Sequence, residues 1–404
     1  MGLQARPGAG MMPARLHRPR LAILALHPVQ YHAPLYREIA ASGAVDLTVL
    51  YCARRGNKPQ YEEEWDVALL DGYRHHFLLN LGRVGWPQPL SRINPGVVSW
   101  LVRERYDVLM IQGYTQLTDW LALLAAKSAG TKVIFRGEAT PGSHGRLSGH
   151  PLKHRAAATM IRYADRVLYS CTGNRLWFEE HGAERARMAL IPCAVDNVFF
   201  EAQRAAILAN PLSPKRQVGL DDGVFHVASV ANMIPRKRLH DLVAAVARLQ
   251  EGGLPAGLIL VGDGPERERL ASMVGELAVK DAHIVGWANQ RMVCGYNAAA
   301  DVFVVASDYD PSPKALSEAL LFGLPVVCAD AIGTAADLVA DGENGYLFPA
   351  GDVEALAHGL SLILQDPDLR AAMGRRSLAI AAEWSMAAAA RSVVQAVELV
   401  LNGR

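Results

Sequence analysis

Cysteine is scarce and dispersed. The five cysteines, Cys52, Cys171, Cys193, Cys294 and Cys328, form no CxxC pair and no metal-ligand spacing. That fits a reducing cytosol better than a disulfide framework. An excess of one charge is also missing. Lysine and arginine total 41 against 40 aspartates and glutamates, for a net charge of +1. Such a balance argues against a surface coated in positive charge for nucleic acid. Long apolar runs are absent too, since none reaches the roughly 18 residues that span a bilayer. Arg15, Arg18 and Arg20 followed by Leu21–Leu26 have the outline of a signal peptide. The apolar run is only six residues, however, and His27-Pro28 ends it with no small-residue cleavage site. A first strand is the better reading. Residues 1–19 are expected to be a disordered tail, with Met11 and Met12 as further possible starts.

What is present is alternation. At 404 residues the chain is too long for one ordinary core, so two α/β domains are expected. Apolar strand-like runs (Arg20–Leu26, Val45–Tyr51, Val108–Gln112, Lys132–Phe135, Arg166–Ser170, Met188–Ile191) alternate with helical stretches. The pattern restarts at Phe225–Val230, Leu258–Val261, His283–Val285, Val302–Ala306 and Asn344–Phe348. Strands apolar on both faces, separated by helices, predict parallel sheets covered on both sides. The expected fold class is α/β, with two Rossmann-like doubly wound domains facing a crevice. PLSPKRQVGLDDG reads as the linker, giving domains at 20–200 and 201–385. The last helix, within 386–404, is expected to pack back toward the first domain. Arg54–Gly85 reads as a long irregular loop forming a wall or lid on the acceptor side. Its Glu62-Glu63-Glu64 reads as a solvated acidic turn.

Loops at the carboxyl ends of such strands carry ligands. In the first half this nominates His27, Gln30, Tyr31 and His32, against the alternative that they form a turn packed on the first helix. In the second half the stretch Asp308–Cys328 stands out. Asp310, Pro311, Ser312 and Pro313 form a loop, Lys314–Phe322 a short helix and Leu324–Val327 a strand. A helix N-terminus offers backbone N–H groups to an anion. The preceding loop ANMIPRKR brings Arg236, Lys237 and Arg238, and a cation there suits a diphosphate whose charge grows as it leaves. Asp308-Tyr309-Asp310 has the form of a divalent-ion clamp, but the helix end and Lys237 already supply positive charge, so no metal is assigned. Gly262-Asp263-Gly264 is only part of a dinucleotide fingerprint, which argues against NAD.

ANMIPRKR, LVGDGPERERL, IVGWA, ADVFVVASDYDPSPKALSEALLFGLPVV and DLVADGENGYLF, in that order, resemble the retaining glycosyltransferases of family 4, which have the two-domain GT-B fold. The resemblance covers most of residues 190–385. HPVQYHAPLYR and WDVALLDGY look like a bacterial polysaccharide-synthesis branch. The resemblance implies transfer of a sugar from a nucleoside-diphosphate sugar to a glycan or polyprenyl-linked acceptor with retention, and no tightly bound cofactor. Its paired acids fall on Asp310, holding the donor sugar, and Glu318, holding the ribose. Lys237 matches the diphosphate lysine, and Ile284, Val285 and Trp287 the segment that contacts the base. The implied donor set also takes in Asn232, Arg236, Gly262, Gly264, Ser312, Lys314, Ala315 and Leu316. The catalytic set is Asp310, Glu318 and Lys237, with Arg136 and Glu138 as candidates for orienting acceptor or sugar.

Four departures are visible. The first acid is Asp rather than Glu. Pro313 stands where Gly is usual and has no N–H. Asn232 replaces a diphosphate arginine, leaving Arg236 or Arg238 to compensate. Arg136-Gly137-Glu138 replaces a histidine. Two other readings remain: another GT-B enzyme such as a sugar-nucleotide epimerase or a phosphorylase, and a non-catalytic sugar-nucleotide-binding partner of a synthesis complex. The expected location is the cytoplasm, at or near the inner face of the cell membrane. Arg15, Arg18, Arg20, Lys153, His154, Arg155 and Arg162 would meet anionic headgroups there, the alternative being plain solvation.

Overall fold

The structure is a computed structural model describing residues 18–56, 67–83, 85–87, 89–141 and 151–403. The acidic turn at 62–64, Trp65, Arg15 and nearly all of the expected tail lie outside these residues. The first half runs β1 (Arg20–Ala25), α1 (Ala33–Ala41), β2 (Asp46–Tyr51), β3 (Arg74–Phe77), α2 (Gly96–Glu104), β4 (Val108–Gln112), α3 (Leu117–Ala129), β5 (Lys132–Arg136), α4 (Pro151–Tyr163), β6 (Arg166–Tyr169), α5 (Thr172–Glu180) and β7 (Met188–Leu190). Next come α6 (Asn197–Leu208) and α7 (Pro214–Gln217). The second half runs β8 (Phe225–Val230), α8 (Leu239–Glu251), β9 (Ala256–Val261), α9 (Arg267–Glu276), β10 (Ala282–Gly286), α10 (Gln290–Ala299), β11 (Val302–Val305), α11 (Lys314–Leu321), β12 (Val326–Ala329), α12 (Ala335–Leu338) and β13 (Gly345–Phe348). Three helices close the chain: α13 (Val353–Gln365), α14 (Pro367–Glu383) and α15 (Met386–Leu401).

Both sheets are parallel. The first has seven strands in the order β3-β2-β1-β4-β5-β6-β7, the second six in the order β10-β9-β8-β11-β12-β13. Each chain path starts in mid-sheet and reverses, so each sheet has a switch point, beside β1 and β4 or beside β8 and β11. Ligands of open α/β sheets bind outside the carboxyl ends of the strands at such points. The loops there are Leu26–His32 and the turn at Gly113 in one sheet, and Ala231–Arg238 and Ala306–Pro313 in the other.

Alternation along β1 shows why its run is wholly apolar. Leu21, Ile23 and Ala25 enter one core, and Ala22 and Leu24 the other. Side chains of a strand point to opposite faces in turn, so both layers of helices find apolar partners. Each such buried side chain contributes about 1.5–3 kcal/mol relative to exposure. The first of these cores does not stop at the domain. It runs from Tyr36 and Ile39 of α1 through Phe200 of α6 and Val393 and Val397 of α15 into Val227, Leu242 and Val304 of the second half. Helix α15 lies against α1 and approaches β5 and β7.

Two stretches expected as linker and loop carry regular elements. PLSPKRQVGLDDG, expected as the linker, contains α7, and α6 precedes it. Asp196 caps α6 by accepting from the Phe199 N–H at 3.1 Å, and Ser213 caps α7 at 3.2 Å. Helix α6 runs straight through the expected boundary at 200/201. The supposed loop Arg54–Gly85 contains β3, an edge strand whose RHHF lacks the aliphatic run of its neighbours. Helix α14 runs unbroken from Pro367 to Glu383, with Asp366 capping its first turn.

Candidate active site

The two switch points face each other, and the loops around them meet. Gly173 N–H donates to Gly333 O at 3.2 Å, and Thr172 donates to Asp337 from its backbone N–H at 2.8 Å and its hydroxyl at 2.7 Å. The Thr140 and Tyr309 hydroxyls lie 3.5 Å apart. Gly333 is needed for this approach. A Cβ there would sit 2.4 Å from Pro311 O and 2.8 Å from Thr140 Cγ2, closer than atoms can pack.

Lys237 and Asp310 form a buried ion pair at the entrance to α11. Asp310 also accepts from the Ser312 N–H at 3.3 Å, and its own carbonyl accepts from the Gly333 N–H at 2.9 Å. The lysine expected to face a phosphate and the acid expected to face a sugar thus face each other. Leu316, in the first turn of α11, is buried, while Lys314 and Ala315 are partly exposed to the crevice. Arg236 is exposed and donates to Tyr309 O at 2.7 Å, and Arg238 pairs with Asp241 at 2.6 Å. Asn232 is itself exposed.

Glu318, one turn into α11, is 3% exposed, and its Oε1 has no hydrogen-bond partner. Burial pushes its carboxyl up to about 7; the Tyr31 hydroxyl and Lys314 pull back without prevailing. Burial, then Glu318, in turn keeps the Tyr31 phenol protonated far above its ordinary range. Lys314 reaches from the second domain to the sulfur of Cys193 in the first, and its Nζ stands 5.9 Å from the Tyr31 ring centroid.

On the first domain, Arg136 at the end of β5 donates to Glu138 at 2.7 Å and lies 3.5 Å from His32 Nε2. Glu138 titrates at about 2: burial would raise it, but Arg136, Lys314 and His32 overcome that. His32 is pushed down to about 3 by burial and Arg136, and His27 is lowered by burial and Arg92, so both rings are neutral at pH 7. A cavity of about 250 Å³ opens among Leu26, His27, Val29, His32, Gln112, Gly113 and Arg136–Glu138. Gln30 is buried beside it.

The structure thus brings Lys237, Asp310, Ser312, Lys314, Ala315, Leu316, Glu318, Tyr31, His32, Arg136 and Glu138 to one crevice. Gly262 and Gly264 have a packing role. Their φ values are 134° and 153°, and a Cβ would strike Ala231 O at 2.0 Å and Met233 O at 2.5 Å. They let the loop after β9 lie on the loop after β8. Ile284 and Val285 lie in β10, which ends at Gly286, and Trp287 follows, 38% exposed. Cys193 escaped the sequence reading, although it sits in the turn after β7, a carboxyl end like the others. Arg20, expected at a membrane, is engaged by Glu104 at 2.9 Å and Asp46 at 3.7 Å. No helix among the described residues is long and apolar enough to cross a membrane.

Two Rossmann-like domains joined this way across a crevice have the architecture of the GT-B glycosyltransferases. Residues 28–194 match the family model of the glycosyl transferase 4-like domain, and residues 214–378 that of glycosyl transferases group 1. Both halves therefore stand among glycosyltransferase domains. The lipopolysaccharide core biosynthesis glycosyltransferase LpsE of Rhizobium meliloti is 34% identical over 151 residues, 37% of this chain and 42% of that one. The D-inositol 3-phosphate glycosyltransferase of Nocardia farcinica is 29% identical over 317 residues, 76% of this chain and 64% of that one. In both, the match spans less than two thirds of the relative. The crystal structure of HepE from Anabaena in complex with UDP shares the fold with a TM-score of 0.71 at 19% identity, over 94% of this chain and 99% of that one.

Proposed function

We propose that the chain is a glycosyltransferase that moves a sugar from a nucleoside-diphosphate sugar to a glycan or lipid-linked acceptor, with retention at the anomeric carbon, in polysaccharide synthesis. The observation that carries this is the pairing, on one short helix, of an anion-seeking N-terminus with Glu318, a buried carboxyl that has an unpartnered oxygen. The α11 end, with Lys237, receives the diphosphate. Glu318 accepts from a ribose hydroxyl, and Asp310, once Lys237 turns to phosphate, accepts from the donor sugar. Ile284, Val285 and Trp287 flank the base. The acceptor enters the cavity beside His27, His32 and Glu138.

The sugar C1–O bond to the β-phosphate breaks and its electron pair stays on the phosphate oxygen. The acceptor oxygen bonds C1 from the same face, and its proton passes to that phosphate oxygen. Glu138, held ionised by its neighbours, is too weak a base to take this proton. Its use is to accept a hydrogen bond and orient the hydroxyl. The test is to incubate the protein with UDP-, GDP- and ADP-sugars, with and without a lipid-linked glycan, and to determine the anomer formed. Release of a nucleoside diphosphate with a retained anomer supports the reading; nucleotide binding with no turnover in any combination refutes it.

A further inference from the structure

We propose that the Lys314 ammonium is a second cation for the leaving diphosphate, acting beside Lys237. This rests on the functional reading above and adds to it a role for a side chain.

Lys237, Arg136, Arg238, Arg236 and Lys314 lie around the crevice, and three of them are paired with carboxylates. Lys237 is matched by Asp310, Arg136 by Glu138 and Arg238 by Asp241. Arg236 is exposed and turned to the Tyr309 carbonyl. Lys314 contacts no carboxylate among the described residues. Its Nζ meets the Cys193 sulfur, lies 3.5 Å from the Cys193 carbonyl and hangs over the Tyr31 ring. Burial pulls its pKa down, but Cys193 and Glu138 at longer range prevail and hold it up, so it is charged at neutral pH.

Its position fits the task. Lys314 is the first residue of α11, whose free N–H groups open into the same space. A lysine is a point charge on a flexible stem, so it can swing from Cys193 to a phosphate without moving the helix. A diphosphate gains negative charge as the C1–O bond breaks, and one positioned donor at such a group is worth about 100- to 1,000-fold in kcat. Cys193 and Tyr31 belong to the first domain, so the same side chain registers whether the domains are closed.

The test is calorimetric titration of UDP, GDP and ADP, with uridine, guanosine and adenosine as controls, into wild type, Lys314→Met and Lys314→Arg. Wild type should bind one diphosphate. Lys314→Met should weaken that binding at least about tenfold and lower kcat about 100-fold. Its nucleoside affinity and melting temperature should stay unchanged, and Lys314→Arg should recover most of the loss. Equal diphosphate affinity in Lys314→Met and wild type overturns the role of Lys314 and leaves the proposed function standing. So does equal loss of nucleoside and diphosphate, which marks a structural role. If wild type binds none of the three diphosphates, the proposed function fails and takes this role with it.

Discussion

Glu318→Gln should separate function from stability, because the same burial serves one and opposes the other. In the folded chain the Glu318 carboxyl titrates at about 7 against an ordinary 4.5, with burial as the first cause. Below pH 4.5 the group is protonated in both folded and unfolded chains. Between 4.5 and 7 only the folded chain keeps the proton. Stability therefore falls as pH rises through that window and levels off above it. The full displacement corresponds to about 3 kcal/mol. Glutamine fills the same space and has no charge to bury. The advantage of Glu318→Gln over wild type in urea unfolding should grow by about 2.5 kcal/mol between pH 5 and pH 8. The same variant should lose sugar transfer about 100-fold or more, since its amide offers the ribose a weaker acceptor. A stability difference independent of pH would show that Glu318 titrates normally, and undiminished transfer would show that it is not at the ligand.

Nucleotide binding near pH 7 should release a fraction of a proton, because a hydroxyl donated to Glu318 favours its charged form; calorimetry in buffers of different ionisation enthalpy reads this directly. Lys237→Met should destabilise the fold by about 3–5 kcal/mol by leaving Asp310 charged and unpaired, and adding Asp310→Asn should restore much of it. Gly333→Ala should separate the first-domain contacts at Thr140 and Gly173 from the α11 loop, seen as loss of transfer and faster proteolysis with each sheet retained. Gly262→Ala should lower the melting temperature more than a surface Gly→Ala change, because it meets both a positive φ and the Ala231 carbonyl.

The parallel sheets were legible because their strands are apolar on both faces, so LAILAL and VFVVA admit few other readings. The edge strand β3 was not, since RHHF has one neighbouring strand and no aliphatic run to mark it. Helices α6 and α7 around the expected linker were not legible, because proline and glycine dominate PLSPKRQVGLDDG, whereas a cap and the burial of Phe200 decide α6. In the site, the α11 terminus was marked by the proline-bounded loop before it and Lys237 by the basic loop ANMIPRKR, whereas Glu318 was nominated by the family resemblance. The Lys237–Asp310 pairing was not legible, because the two residues are far apart in sequence and only the folded loops bring them into contact. Cys193 was hidden for the same reason: nothing local in PCAVD shows that a lysine from the other domain reaches it.

Helix α15 is made after both sheets, yet it covers α1 and reaches β5 and β7, all of which belong to the first half of the chain. During synthesis the first domain therefore emerges before the helix that packs on α1 exists. The α1 face lacks that neighbour until residues as late as Val397 have left the ribosome. Folding of the first half is thus completed by the last described helix, and a chain arrested before Met386 should expose a sticky first domain to chaperones.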